Sequence, residues 1–399
     1  MAKYQSRLTG LTIAMAKTDT PLVHGEFCLP TRVENDDGLP HILEHLIFQG
    51  SDGYPYQEAL DLLAARSLGA RTNAATYQDR TCYWLSTAGT SGFLEILPIY
   101  LDHIFFPRLR EEDFMTEVHH VNGKGEDAGV VYNEMQGKPL DSTKRVLPKL
   151  LYPEEPGYYA ISGGSLENMR TSTTIQKVRD YHEKYYRPEN LVLIITGNIN
   201  QHQIFKAIAS MEEKILKKKS SDQGLFKRPW QKALQPIGKE DNHIEHEFPY
   251  EDETTGEVYF AFRLPNHITE DISMLESYEL LMKYLTSSKG SPLRAAFVDT
   301  EDPLCHDIEH DSYKYIQPAY YLTFSKVATN RTNEVIPRLR KVIKQINDGG
   351  PLEFDLSKLR GYIDRGIVKN QKLIENDLPD IMRVAVIYDM MHSTQKEHF

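Results

Sequence analysis

The residues most able to do chemistry are a closely spaced pair of histidines and the acid between them. His41-Ile-Leu-Glu44-His45 follows Gly38-Leu-Pro40 and runs into Leu46-Ile-Phe48. Asp36 or Asp37 can cap a helix here, Pro40 suits its first turn, and an apolar run follows. On a helix, His41 and His45 share a face because they are four residues apart, and Glu44 joins them at three from His41. Two imidazoles and a carboxylate meeting at one point are what a catalytic zinc ion needs: nitrogen ligands, and a base beside the water the ion acidifies. Five residues alone fit a plainer reading equally well, two histidines held by hydrogen bonds at a helix start. The rest of the chain has to decide.

A catalytic zinc ion takes three protein ligands and leaves a fourth position open. Glu134 is the best third candidate, because it lies in the apolar segment Val130-Val-Tyr-Asn-Glu-Met135, where an unpaired charge is costly. A surface glutamate on an amphipathic helix is the alternative. Glu126 and Asp127, about two turns upstream, are candidates to accept a hydrogen bond from a zinc histidine and hold its tautomer.

A second H-x-x-E-H occurs at His306-Asp-Ile-Glu309-His310. Pro303 precedes it and an alternating, strand-like run follows, so its histidines would lie about 13 Å apart with Glu309 on the opposite face. It is rejected as a metal site. His243-Ile-Glu-His246 reads as solvated. No G-x-S-x-G nucleophile elbow occurs, and Cys82, in a strand, reads as a core residue.

The elements that must hold these groups follow from periodicity. Strands are predicted at 11–16 and 23–29, the second alternating Val23, Gly25, Phe27 and Leu29 with polar or small neighbours. Helices are predicted from His41, at 56–66, at 93–106 and at 111–121, with short strands at 72–77 and 81–86. The loop 122–129 is glycine-rich but carries two acids and no Gly-Lys-Ser/Thr ending, so it is no phosphate cradle. A helix at 130–137, another at 175–185 and a buried strand at 191–195 complete the region, with a helix reaching about residue 216. The polar run 217–224 reads as the start of an interdomain linker. Beyond it come strands at 257–263 and 313–326, helices at 274–285 and 334–346, and one long helix from Asp355 to about residue 391. The class is α+β, with a catalytic domain at 1–216, a linker at 217–240 and a second domain, incomplete at its C-terminus, at 241–399.

Composition narrows the function. A 399-residue chain with 40% hydrophobic and 26% charged residues is of ordinary globular type, and a net charge of −11 argues against a nucleic-acid partner. No apolar run reaches membrane-spanning length. The three cysteines are far apart, with no C-x-x-C, which argues against a disulfide framework or a thiolate zinc site and for a reducing compartment. The N-terminal residues lack a signal core. The cytosol is the expected location, and the mitochondrial matrix is the alternative if a longer N-terminus precedes them.

With His41, Glu44, His45 and Glu134 in place, the chain resembles the M16 (pitrilysin or insulinase-like) zinc metallopeptidases. Gly38-Leu-Pro-His-Ile-Leu-Glu-His45 with Gly50-Ser51, and Gly129-Val-Val-Tyr-Asn-Glu134-Met, look most like the presequence-protease branch. The stretch from Val118 to Gln136 is similar to a cytosolic set within that branch. The resemblance spans residues 1–216 and is looser beyond. It implies that His41, His45 and Glu134 bind one zinc ion and that Glu44 is the general base. The spacing 134 − 45 = 89 suits the longer-spaced branch. It also implies that Asn73-Ala74-Ala75-Thr76 is an edge strand taking peptide substrate by strand addition, with Tyr83 and Trp84 beside it. The family fold is a tandem of M16-type domains, four in a full-length enzyme, enclosing an unfolded peptide between two halves. The C-terminal half, with the Arg and Tyr that the family uses at the transition state, is absent from these residues. The expectation is therefore a metalloendopeptidase acting on short unfolded peptides, completed by a C-terminal half or a homologous subunit. The rival is a scaffold or regulatory subunit without activity.

Overall fold

The computed structural model describes residues 1–70, 72–137, 142–153, 157–218, 226–230, 243–245, 247, 253–264, 272–348 and 354–392. They fall into two compact units, 1–232 with 378–399, and 233–377. Both combine sheets and helices, and the class is α+β.

In chain order the first unit contains β1 (Ala2–Gln5), β2 (Thr12–Lys17), β3 (Leu22–Pro30), α1 (Leu39–Ile47), α2 (Ala59–Arg66), β4 (Asn73–Thr76), β5 (Arg80–Ala88) and α3 (Thr90–Phe105). There follow α4 (Glu111–Glu117), β6 (His120–Val121), β7 (Asp127–Ala128), α5 (Val130–Gly137), α6 (Ser142–Leu151), α7 (Leu166–Thr171), α8 (Ile175–Tyr185), β8 (Val192–Gly197) and α9 (Gln201–Lys218). Six strands form one sheet in the order β1-β2-β8-β3-β5-β4. All neighbours are antiparallel except β2 and β8.

The alternation read along 23–29 sets which face is core. Val23, Phe27 and Leu29 are buried with Ile42, Leu43 and Leu46 of α1 and with Phe93, Ile96, Leu97 and Tyr100 of α3. Phe27 and Tyr100 stack at 4.6 Å. Gly25 is required there: a Cβ would come within 2.7 Å of the Phe93 ring. Strand β8 is buried at every position, as its unbroken apolar run demands.

The opposite face carries Glu26, Cys28 and Cys82. Register pairs Cys28 with Cys82 across β3 and β5, and a disulfide joins them. This corrects the expectation of unpaired cysteines. Residues 54 apart in sequence become neighbours only through strand pairing, which no spacing rule reports.

The second unit contains β9 (Thr255–Arg263), α10 (Ile272–Thr286), α11 (Pro292–Phe297), β10 (Asp307–Tyr313), β11 (Ala319–Ala328), α12 (Thr332–Asn347) and α13 (Leu356–Asn376). Its three-stranded antiparallel sheet has the order β10-β11-β9. Val335, Leu339, Val342 and Ile346 form the buried stripe of α12 and join Phe297, Leu322 and Phe324 in the core.

The long helix expected from Asp355 divides at Asp377, and α14 (Leu378–His392) starts afresh. Pro379 explains the restart, since a first turn tolerates a residue without an N–H. Helix α14 groups with the first unit, where it packs on β8 and β3. The division at 216 and 241 therefore differs from the observed units by this returning helix. Much of the expected linker, 219–225 and 231–240, lies outside the described residues. Trp230 within it is buried against the first unit, stacking on Tyr158 at 4.6 Å and donating from Nε1 to the Thr31 carbonyl at 2.7 Å.

One further boundary moved, and one strand was added. Helix α4 stops at Glu117 instead of 121, because Asn122 Oδ1 accepts from the amides of Lys124 and Glu126 and turns the chain into the β6–β7 hairpin. Strand β1, not anticipated, pairs with β2.

Candidate metal centre and its edge strand

Helix α1 begins on Gly38, in a left-handed conformation at φ 72°, with neither Asp36 nor Asp37 capping it. A Cβ on Gly38 would lie 2.8 Å from the Gly163 carbonyl, so the helix starts where two backbones touch. Asp37 is instead buried, accepting from Asn168, Ser172 and Lys177, while Asp36 accepts from the Ile161 amide. The two acids tie the approach to α1 onto the segment leading into α7 and α8. Six apolar or proline residues of α1 are buried with His41, leaving Glu44 and His45 half-buried.

The helical spacing delivers His41 and His45 to one face, with ring centroids 4.9 Å apart. Helix α5 supplies Glu134. Its Oε2 lies 3.6 Å from His41 Nε2 and 3.4 Å from His45 Nε2. Gly129 sets where α5 begins: at φ 143°, a Cβ there would fall 2.3 Å from the Val118 carbonyl. Val131, Tyr132 and Met135 then bury the inner side of α5, and Glu134 points to the histidines.

These distances fit a metal. Ligand atoms around a tetrahedral zinc ion with bonds of 2.0–2.2 Å stand about 3.4 Å apart. The three donor atoms here all lie within 4.8 Å of one another. Two nitrogens and one carboxylate oxygen are also a common catalytic zinc set.

A carboxylate not anticipated completes the surroundings. Glu117, at the end of α4, places Oε2 3.4 Å from His45 Nδ1, and Gln49 Nε2 donates to its other oxygen at 2.8 Å. Burial works to lower the His45 pKa, but Glu117, Glu134 and the charge of Glu44 outweigh it and lift the value to about 9. Three carboxylates around one imidazole make a site that attracts a cation. Glu117 carried no signal in the sequence, because the helix expected to run to 121 ends at this residue only in the structure.

Glu126 and Asp127 do other work. Asp127 accepts from His119 at 2.8 Å and from the Tyr132 hydroxyl at 3.1 Å, and pairs with Arg170. Glu126 accepts from Asn122 within the turn. The hairpin carries both acids away from His41 and His45, and Asp127 instead braces α5 through Tyr132.

Strand β4 is the outer strand of the sheet and lies against α1. Asn73 pairs with Trp84, Ala74 with Tyr83, Ala75 with Cys82 and Thr76 with Thr81. The Thr76 hydroxyl donates to Glu44 Oε2 at 2.5 Å. Beneath them the buried hydroxyls of Tyr83 and Tyr186 meet at 2.7 Å.

The second H-x-x-E-H is a strand. β10 begins at Asp307, Glu309 is exposed, and His310 Nδ1 meets the Thr286 hydroxyl at 2.8 Å. His243 is exposed in the described residues and His246 lies outside them. The other group of metal-type donors among the described residues, Glu26 with Cys28 and Cys82, has its sulfurs joined to each other and Arg383 standing 4.0 Å from Glu26.

The fold and the sequence are shared with known proteins. The model described as "Insulinase (Peptidase family M16)" matches residues 31–136, and that described as "Peptidase M16 inactive domain" matches residues 172–361. An uncharacterized protein of Caenorhabditis elegans is 34% identical over 99% of this chain and 40% of its own length. Presequence protease 1, chloroplastic/mitochondrial, of Arabidopsis thaliana is 35% identical over 42% of this chain and 16% of its own length. Among solved structures, the peptidase M16 inactive domain from Pseudomonas fluorescens matches with a TM-score of 0.71 at 14% identity, over 100% of this chain and 92% of that one. A protease from Helicobacter pylori matches at 0.67 and 16%, over 98% and 92%. At such identities the structures show the fold alone.

The chain belongs to the peptidase M16 family. It spans 40%, 34% and 35% of the length of three relatives that it matches nearly end to end. Among the described residues, no helix is long and apolar enough to cross a membrane.

Proposed function

We propose that this chain is the zinc-bearing part of a metalloendopeptidase that hydrolyses short unfolded peptides, and that a C-terminal half or a homologous subunit completes it. The observation that carries the reading is the convergence of His41, His45 and Glu134, from two helices, beside a glutamate that is not itself needed as a ligand. His41, His45 and Glu134 would hold the ion. Zinc, when bound, supplies Lewis acidity, acidifying water and polarising a carbonyl. The chain's own contribution is as follows. Strand β4 aligns an extended peptide by backbone hydrogen bonds. Glu44 accepts the proton of the attacking water and returns it to the departing amine. Glu117 holds the orientation of His45 from Nδ1.

Zinc stoichiometry of the purified chain beside its His41→Ala variant tests the metal, and Glu44→Gln tests the chemistry. One zinc per chain, lost in the first variant and retained in the second, with peptide cleavage abolished in both, is the result that supports the reading. Cleavage at the wild-type rate by Glu44→Gln would refute it. The second reading, a scaffold or regulatory subunit, is favoured by the inactive-domain match over residues 172–361. Substoichiometric metal in wild type and variant alike would select it. A cytosolic location is proposed, to be checked by fractionation.

A further inference from the structure

Thr76 faces two ways at once. Its hydroxyl donates to Glu44 Oε2 at 2.5 Å, and its Oγ1 lies 3.5 Å from the Pro40 carbonyl at the start of the same helix. The single hydroxyl hydrogen goes to the nearer acceptor, the Glu44 carboxyl oxygen. Glu44 is half-buried on a side chain with several rotatable bonds, and the bond from Thr76 restricts the directions its carboxyl group takes.

The backbone of Thr76 looks the other way. The Tyr77 amide bonds to the Arg80 carbonyl at 2.8 Å, and in an antiparallel ladder bonded and non-bonded pairs alternate. Ala75 and Cys82 are then a bonded pair, whereas Ala74 and Thr76 turn their N–H and C=O groups to the outer edge of β4. Asn73 Oδ1 covers the Ala74 amide at 2.9 Å. A peptide strand adding to this edge would therefore pair with the backbone of the residue whose side chain holds the base.

We infer that Thr76 is the positioning residue for Glu44, so that the backbone position that receives the peptide strand also sets the direction of the carboxylate. The inference rests on the peptidase reading of this site. It makes the offset between the scissile bond and the base a property of one residue, independent of how tightly the rest of the peptide is held.

The test uses the zinc-loaded 399-residue chain as wild type, Thr76→Val, Thr76→Ser and Glu44→Gln. Valine keeps the branched shape, and serine keeps the hydroxyl. Kinetics on a fluorogenic unstructured peptide should show Thr76→Val lowering kcat by about 10-fold to 100-fold, with KM and zinc content within about twofold of wild type. Thr76→Ser should restore most of the loss. A fluorescent form of the same peptide, titrated into Glu44→Gln with and without Thr76→Val, should bind equally. Crystal structures should show Glu44 in one rotamer in wild type and displaced in Thr76→Val. Unchanged kcat in Thr76→Val overturns the inference, as does a loss expressed in KM with weakened peptide binding, which would make the side chain a substrate contact. If the wild type cleaves nothing even when a C-terminal half or homologous subunit is supplied, the peptidase reading is what fails. The rotamer comparison then decides the role of Thr76, and an unmoved Glu44 overturns it.

Discussion

Glu117 and His45 stand 3.4 Å apart, carboxylate to Nδ1, with Glu134 at the same distance from the other ring nitrogen. The imidazole is thus held from both sides, and the nitrogen facing Glu134 is the one available to a metal. Such partners orient a ligand and raise its basicity. Glu117→Ala is expected to weaken zinc binding about 10-fold to 100-fold. Competition with a chromophoric chelator measures it, and an unchanged affinity would show that α1 alone orients His45.

Metal removal should cost stability wherever the site is formed in the fold. An ion at 100 times its dissociation constant stabilises by about 2.7 kcal/mol, provided the unfolded chain does not bind it. Calorimetry with and without a chelator should show a lower Tm for the stripped wild type. His41→Ala should show little difference between the two conditions.

Glu26 predicts a pH dependence away from the metal. Burial raises its carboxyl from an ordinary 4.5 to about 7, against the opposing charges of Arg383 and Arg80. The folded state therefore holds this proton more tightly than the unfolded chain does. Its contribution is complete below pH 4.5 and is lost as pH rises through 7, an amount of about 3 kcal/mol. Urea unfolding at a series of pH values should show this decline between those limits, and Glu26→Gln should remove it. A variant with the same slope as wild type would assign the effect elsewhere.

Gly129→Ala tests how α5 is placed. The methyl would meet the Val118 carbonyl at a φ that side chains rarely adopt, so a loss of roughly 1–3 kcal/mol is expected. Zinc affinity should fall as well, because Glu134 rides on this helix. Gly123→Ala, where a Cβ meets nothing within 4 Å, is the control and should change neither quantity.

The helix bearing His41, Glu44 and His45 was legible because its chemistry lies within two turns, where spacing alone decides which side chains meet. The rejection of His306–His310 rested on the same rule with a different period, and β10 agrees. Glu134 was legible from the cost of an acid in an apolar segment, and the structure puts its oxygen between the two imidazoles. Core strands such as β8 announced themselves by unbroken burial.

Partner choice was decided only in three dimensions. Glu126 and Asp127 are sequence candidates to accept from a histidine, but the β6–β7 hairpin turns them away and Glu117 arrives from α4. Asp37 looked like a cap and became a buried acceptor for three side chains of the α7–α8 segment. Cys28 and Cys82 met through strand register, and α14 returned to the first sheet after a whole intervening unit. The division has one physical reason. Periodicity and capping act within a few residues and are written locally. Which distant groups share a hydrogen bond depends on strand register and backbone contacts, which exist only once the chain has folded.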